Sequence, residues 1–93
     1  MQLVGEFQTA KASKYLQQLC KHFAHKIEVS FDENAGQIPF SLGVAEVSAT
    51  AEALSVRFAD VADDKRADAK MVIDKHLERF AFREGFSAMN WQD

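Results

Sequence analysis

The sequence predicts an α+β fold, a two-layer sandwich with an antiparallel sheet carrying two helices on one face. Three observations lead there. Between Ile27 and Ala59 apolar residues recur at every second position in four short runs. On either side, over residues 10–24 and from Ala69 to Phe80, they recur with helical spacing instead. Breakers are few, with one Pro and four Gly in 93 residues. Strands in series flanked by helices fit one sheet with helices on one side, in the order β-α-β-β-β-β-α-β. A chain of this length accommodates a single domain, residues 1–93.

The first strand is expected over Gln2 to Phe7, with Leu3 and Phe7 inward and Gly5 between them at a bulge or a close backbone approach. Thr9 offers an N-cap to a helix over 10–24, whose stripe is Ala12, Leu16, Leu19, Cys20 and Phe23. Ile27, Val29 and Phe31 alternate with polar residues and predict a strand that turns at Glu33 to Gly36. Ile38 and Phe40 are the inward side of the next strand, which Pro39 marks as short or at an edge because proline cannot donate to a ladder. Leu42 and Gly43 turn the chain into Ala45, Val47 and Ala49, and Thr50 to Ala53 leads on to Leu54, Val56 and Phe58. Asp60, Asp63 and Asp64 bring negative charge to the start of the second helix, where the dipole favours it. Its buried face is Ala69, Ile73, His76, Leu77 and Phe80, and Gly85 ends it. A last strand carries Met89 and Trp91 on one face, while Phe82 points away from the stripe and is the aromatic expected to be exposed or buried in a dimer.

Composition narrows the function. With 47% apolar and 27% charged residues the chain is neither disordered nor fibrous. Cys20 is the single cysteine and has no internal partner, which points to a reducing compartment and a cytoplasmic protein. Met1 to Lys11 lacks the apolar core of about seven or more residues of a signal peptide, and no stretch approaches the roughly 18 apolar residues of a membrane span. The net charge of −3 argues against nucleic-acid binding, but charge is segregated. From Gln8 to Ile27 there is no acid, while Lys11, Lys14, Lys21, Lys26, His22 and His25 all fall there.

No oxyanion hole, phosphate-cradling glycine loop or convergent carboxylate pair is recognisable, so the sequence carries no catalytic signature. Cys20, His22 and His25 form a Cys-x-His-x-x-His run, yet residues two apart on a helix point in nearly opposite directions, so Cys20 and His22 cannot share an ion. The alternative reading draws on Cys20, His22, His25 and His76: a metal site from His22 and His25 with His76 and a carboxylate, or a Cys/His nucleophile from Cys20 meeting His76 across the two helices. The preferred candidates are two cationic stripes flanking a groove, Lys21, His22 and His25 on the first helix and His76, Arg79 and Arg83 at i, i+3 and i+7 on the second. Arg supplies a planar bidentate fork and Lys a mobile charge, a combination suited to carboxylate, phosphate or catecholate oxygens. The competing explanation is structural, since cations near helix C-termini stabilise the dipole by about 0.3–1 kcal/mol with no ligand.

Two segments carry a resemblance: Lys14-Tyr15-Leu16-Gln17-Gln18-Leu19-Cys20-Lys21-His22-Phe23-Ala24-His25-Lys26 and His76-Leu77-Glu78-Arg79-Phe80-Ala81-Phe82-Arg83-Glu84. They look like the two motifs of a bacterial family catalogued as domain of unknown function 2218, and the likeness extends to Val29, Phe31, Gly36 and Trp91. The resemblance implies no established activity, cofactor or catalytic residue. It implies a small protein that stands alone or accompanies siderophore-interacting flavoproteins, and hence a binding or accessory domain with an anionic ligand such as an iron chelate and a flavoprotein partner. Read from the residues alone, the alternative is a homodimer in which the same histidines and arginines are structural.

Overall fold

The computed structural model describes residues 2–92. Its elements are β1 (Leu3–Gln8), α1 (Ala12–Ala24), β2 (Ser30–Phe31), β3 (Ala35–Phe40), β4 (Gly43–Ala49), β5 (Ala53–Phe58), α2 (Arg66–Ala81) and β6 (Asn90–Gln92), with single 3-10 turns at Asp63–Lys65 and Phe82–Glu84. All neighbouring strands are antiparallel in one sheet of order β2-β3-β4-β5-β1-β6. The expected α+β sandwich and its element order are what the chain forms.

Register puts the apolar halves of the strands on one side. Leu3, Gly5 and Phe7 of β1 lie opposite Phe58, Val56 and Leu54 of β5, and Ala45, Val47 and Ala49 of β4 lie opposite the same three. These residues, with Ile38, form one core with Leu16, Leu19, Cys20 and Phe23 of α1 and Ile73, Leu77 and Ala81 of α2. The opposite face is polar: Glu6, Gln8, Gln37, Ser48 and Arg57 are exposed there. Both helices therefore cover the apolar face, as the period-two alternation requires.

The strand expected over Ile27 to Phe31 is shorter, because α1 unwinds late. The amides of Lys26 and Ile27 both donate to the Phe23 carbonyl, so the chain is still closing the helix where the strand would begin. Ile27 and Val29 press on the core without joining the ladder, and only Ser30 and Phe31 pair, with Gln37 and Gly36. β3 consequently has an open edge beyond Gln37, and Pro39 lies on that stretch, where its missing N–H costs little. The turn between β2 and β3 is fixed by Asp32, whose Oδ1 accepts the amides of Asn34 at 2.8 Å and Ala35 at 2.9 Å.

Thr9 is not the N-cap. The helix starts at Ala12, and the Thr9 hydroxyl instead accepts the Lys11 amide at 3.1 Å and donates to Glu84 Oε1 at 2.9 Å. Tyr15 donates its phenol to Glu84 Oε2, so one carboxylate clamps the start of α1 to the chain beyond α2. Those two donors hold the Glu84 carboxyl below its ordinary value, while burial and then the Glu84 bond push Tyr15 up to about 12. Gly85 has φ 75° and ends the turn after α2, its amide donating to the Phe82 carbonyl.

Gly5 marks a close approach and not a bulge. β6 pairs with β1 so that Trp91 lies opposite Gly5, and a Cβ at position 5 would fall 2.7 Å from the indole ring. Asp74 of α2 holds that ring: Oδ2 accepts Trp91 Nε1–H at 2.8 Å and Oδ1 accepts the Met89 amide at 2.9 Å. Burial raises the Asp74 carboxyl above its ordinary value despite both bonds, which favour the charged form.

Candidate functional site

α1 and α2 pack side by side, and the end of α1 brings His22 against His76 of α2. The two rings lie 4.8 Å apart, centroid to centroid, at 49°. Around them stand aromatic walls. His22 meets Phe23 edge-on at 5.2 Å and Phe80 at 6.3 Å, Phe23 lies 4.8 Å from His76, and Phe40 of β3 closes behind Phe23 at 4.8 Å. His76 Nδ1 is 2.6 Å from the Val72 carbonyl of the preceding turn. A carbonyl only accepts, so Nδ1 carries the proton and Nε2 of the neutral ring is the nitrogen with a lone pair.

The electrostatics of this seam are one-sided. His22 titrates below its ordinary value, first because it is partly desolvated and then because His76, Arg79, Lys26 and His25 all act on it with the same sign. Among the described residues none of these five side chains forms an ion pair with a carboxylate; ion pairs lie elsewhere, as between Arg57 and Glu46 at 2.7 Å and Arg66 and Asp63 at 3.8 Å. Arg79, Lys26 and three histidines thus gather beside an aromatic wall, with no carboxylate among the described residues paired to any of them.

Of the residues selected from sequence, His22, His25, His76 and Arg79 are brought together. Lys21 is exposed on the last turn of α1 and is not among the groups acting on His22. α2 ends at Ala81 and Arg83 falls in the 3-10 turn that follows; it too is not among the groups acting on His22. Its guanidinium sits 5.8 Å from the centroid of Phe82, which is 60% exposed as expected. Lys26, Phe23, Phe40 and Phe80 belong to the seam and were not among the selected residues; the signal for Lys26 was its place in the acid-free run.

The metal or Cys/His enzyme set of Cys20, His22, His25 and His76 is not assembled, and among the described residues no group of three or more His, Cys, Asp or Glu is placed to hold an ion. Cys20 lies fully buried under β3, so close that a Cβ on Gly36 would fall 2.9 Å from its sulfur. Burial pushes its thiol up to about 11, which leaves almost no thiolate near neutral pH. In the native state a thiol reagent should therefore label Cys20 only as fast as the fold opens, with denaturant accelerating the reaction sharply. Rapid stoichiometric labelling at neutral pH would contradict this placement.

A concavity lies on the uncovered side of the sheet, a shallow hollow of about 620 Å³ bordered by Ser30, Asp32, Gln37, Ser48 and the Glu46–Arg57 pair. Glu46 and Arg57 pair with each other there, and the Asp32 carboxylate accepts the backbone amides of Asn34 and Ala35. No helix among the described residues is long and apolar enough to cross a membrane.

Comparison with known proteins bears on the fold and on kinship. The chain is similar to PA4090 from Pseudomonas aeruginosa, known from an NMR structure, at 28% identity and a TM-score of 0.78, over 98% of this chain and 94% of that one. Among curated proteins, none matches. The family described as an uncharacterized protein conserved in bacteria matches residues 4–92, and the chain therefore belongs to domain of unknown function 2218.

Proposed function

We propose that the protein is a small cytoplasmic binding domain, without catalysis of its own, that takes an anionic group of a ligand or partner at the seam between α1 and α2. The observation that carries this reading is the apposition of His22 and His76 at 4.8 Å beside Arg79, with no carboxylate paired to any of them among the described residues. Arg79 and Lys26 bring positive charge to the seam, which a bound anion neutralises. The aromatic walls of Phe23, Phe40 and Phe80 lower the local dielectric and strengthen that attraction. Arg79 supplies the fork for two oxygens, and the rings and Lys26 supply single donors. An anionic iron chelate of the siderophore type fits this chemistry, as do phosphate and polycarboxylates.

The test is a thermal melt of the full chain with inorganic phosphate, citrate and a ferric catecholate, each over a range of concentrations. A ligand at 100 times its dissociation constant stabilises by about 2.7 kcal/mol, and for a domain of this size each kcal/mol raises Tm by roughly 4–8 °C. Arg79 is exposed, so Arg79→Ala should change the unliganded stability by no more than about 0.5 kcal/mol while removing most of the ligand-dependent rise. An undiminished rise in Arg79→Ala would overturn the assignment of the seam as the site.

A further inference from the structure

We propose that anion uptake at the seam is coupled to protonation of the His22–His76 pair, so that the site binds more tightly as the pH falls. This rests on the anion-binding reading of the same cluster. The two rings face each other at 4.8 Å, and His76 spends Nδ1 on the Val72 carbonyl, so its added proton goes to Nε2. The charged groups that act on His22 are His76 and Arg79 from α2 and His25 and Lys26 from the end of its own helix, all of one sign. Among the described residues no titratable group of the sheet acts on His22, and Phe40 of β3 stands behind Phe23.

In the free protein, burial and these neighbours hold His22 neutral over more of the pH range than an isolated histidine. An anion between the helices reverses the balance, because it neutralises the neighbours and rewards the imidazolium. A group whose proton affinity rises on binding takes up a proton when the ligand binds, so affinity climbs as pH falls and levels off once the free site is already charged. A metal ion held by neutral imidazoles would show the opposite sign, since protons compete with it.

Sulfate is the suitable probe, as its charge is fixed over the range. Binding to the full chain is measured at pH 5.5 and 7.5 from amide and histidine ring resonances. The dissociation constant should fall with pH by up to about tenfold per unit for one proton taken up per anion, and His22→Gln should flatten this dependence. Proton uptake by the unaltered chain, read from how the binding heat varies with buffer ionisation enthalpy, tests the same coupling without a substitution. Equal affinity at both pH values and no proton uptake would overturn the coupling while leaving the anion site standing. Absence of sulfate binding at pH 5.5, where the seam is most positive, would overturn both.

Discussion

Phe58→Ala is expected to destabilise the protein by about 3–5 kcal/mol, the range for emptying a fully buried aromatic site. Phe58 lies where the sheet is most constrained: it pairs with Leu3 on one side and Ala45 on the other, and its ring centroid is 6.3 Å from that of Phe40. The neighbouring strands are locked in register and cannot collapse into the space. Because a domain of this kind has only about 5–15 kcal/mol to lose, the variant should melt some tens of degrees lower or fail to fold at ordinary temperature. Chemical denaturation of wild type and variant measures the difference. A loss below about 1 kcal/mol would mean that β1, β4 and β5 do not close on this residue as described.

Gly5→Ala is the more diagnostic change, expected to cost about 1–3 kcal/mol for overpacking although alanine is ordinarily the better residue in a strand. The new methyl carbon would lie 2.7–2.9 Å from three atoms of the Trp91 ring. The ring cannot simply turn aside, because its Nε1–H is bonded to Asp74 and the Met89 amide is bonded to the same carboxylate. Relief must come by lifting β6 from β1 or by breaking the indole bond, which leaves a half-buried carboxylate short of a donor. In a Trp91→Ala background the obstacle is gone, and Gly5→Ala should then be neutral or stabilise by up to about 1 kcal/mol, the usual penalty of glycine within a strand. Strictly additive effects in the double-mutant cycle would show that the two residues do not touch.

How much of this was legible in the sequence depended on the range of the interaction. Ala45, Val47, Leu54, Val56 and Phe58 declare their buried side through simple alternation, and Gly5 and Pro39 announce a constraint through the atoms they lack. The strand at Ile27 was misjudged because alternation there coincides with a helix that is still unwinding, its amides spent on the Phe23 carbonyl. Arg83 lies past the end of α2, which sequence does not show because Gly85 ends an α-helix and a 3-10 turn alike. The Asp74–Trp91 and Tyr15–Glu84 bonds join residues 17 and 69 positions apart and have no local signature. For the candidate site, helical spacing singles out His22, His25, His76 and Arg79, which lie near one another in the fold. The aromatic wall read as core in sequence, because Phe23 and Phe40 serve both the core and the seam.

The anion site is tested most directly by mapping amide and ring shifts of the full chain during a sulfate titration at pH 5.5. The account predicts saturable changes at His22, His25, Lys26, His76 and Arg79, with the far side of the sheet unmoved. Changes concentrated instead around Ser30, Gln37 and Arg57 would place binding in the opposite hollow, and a spectrum indifferent to the anion would remove the site altogether.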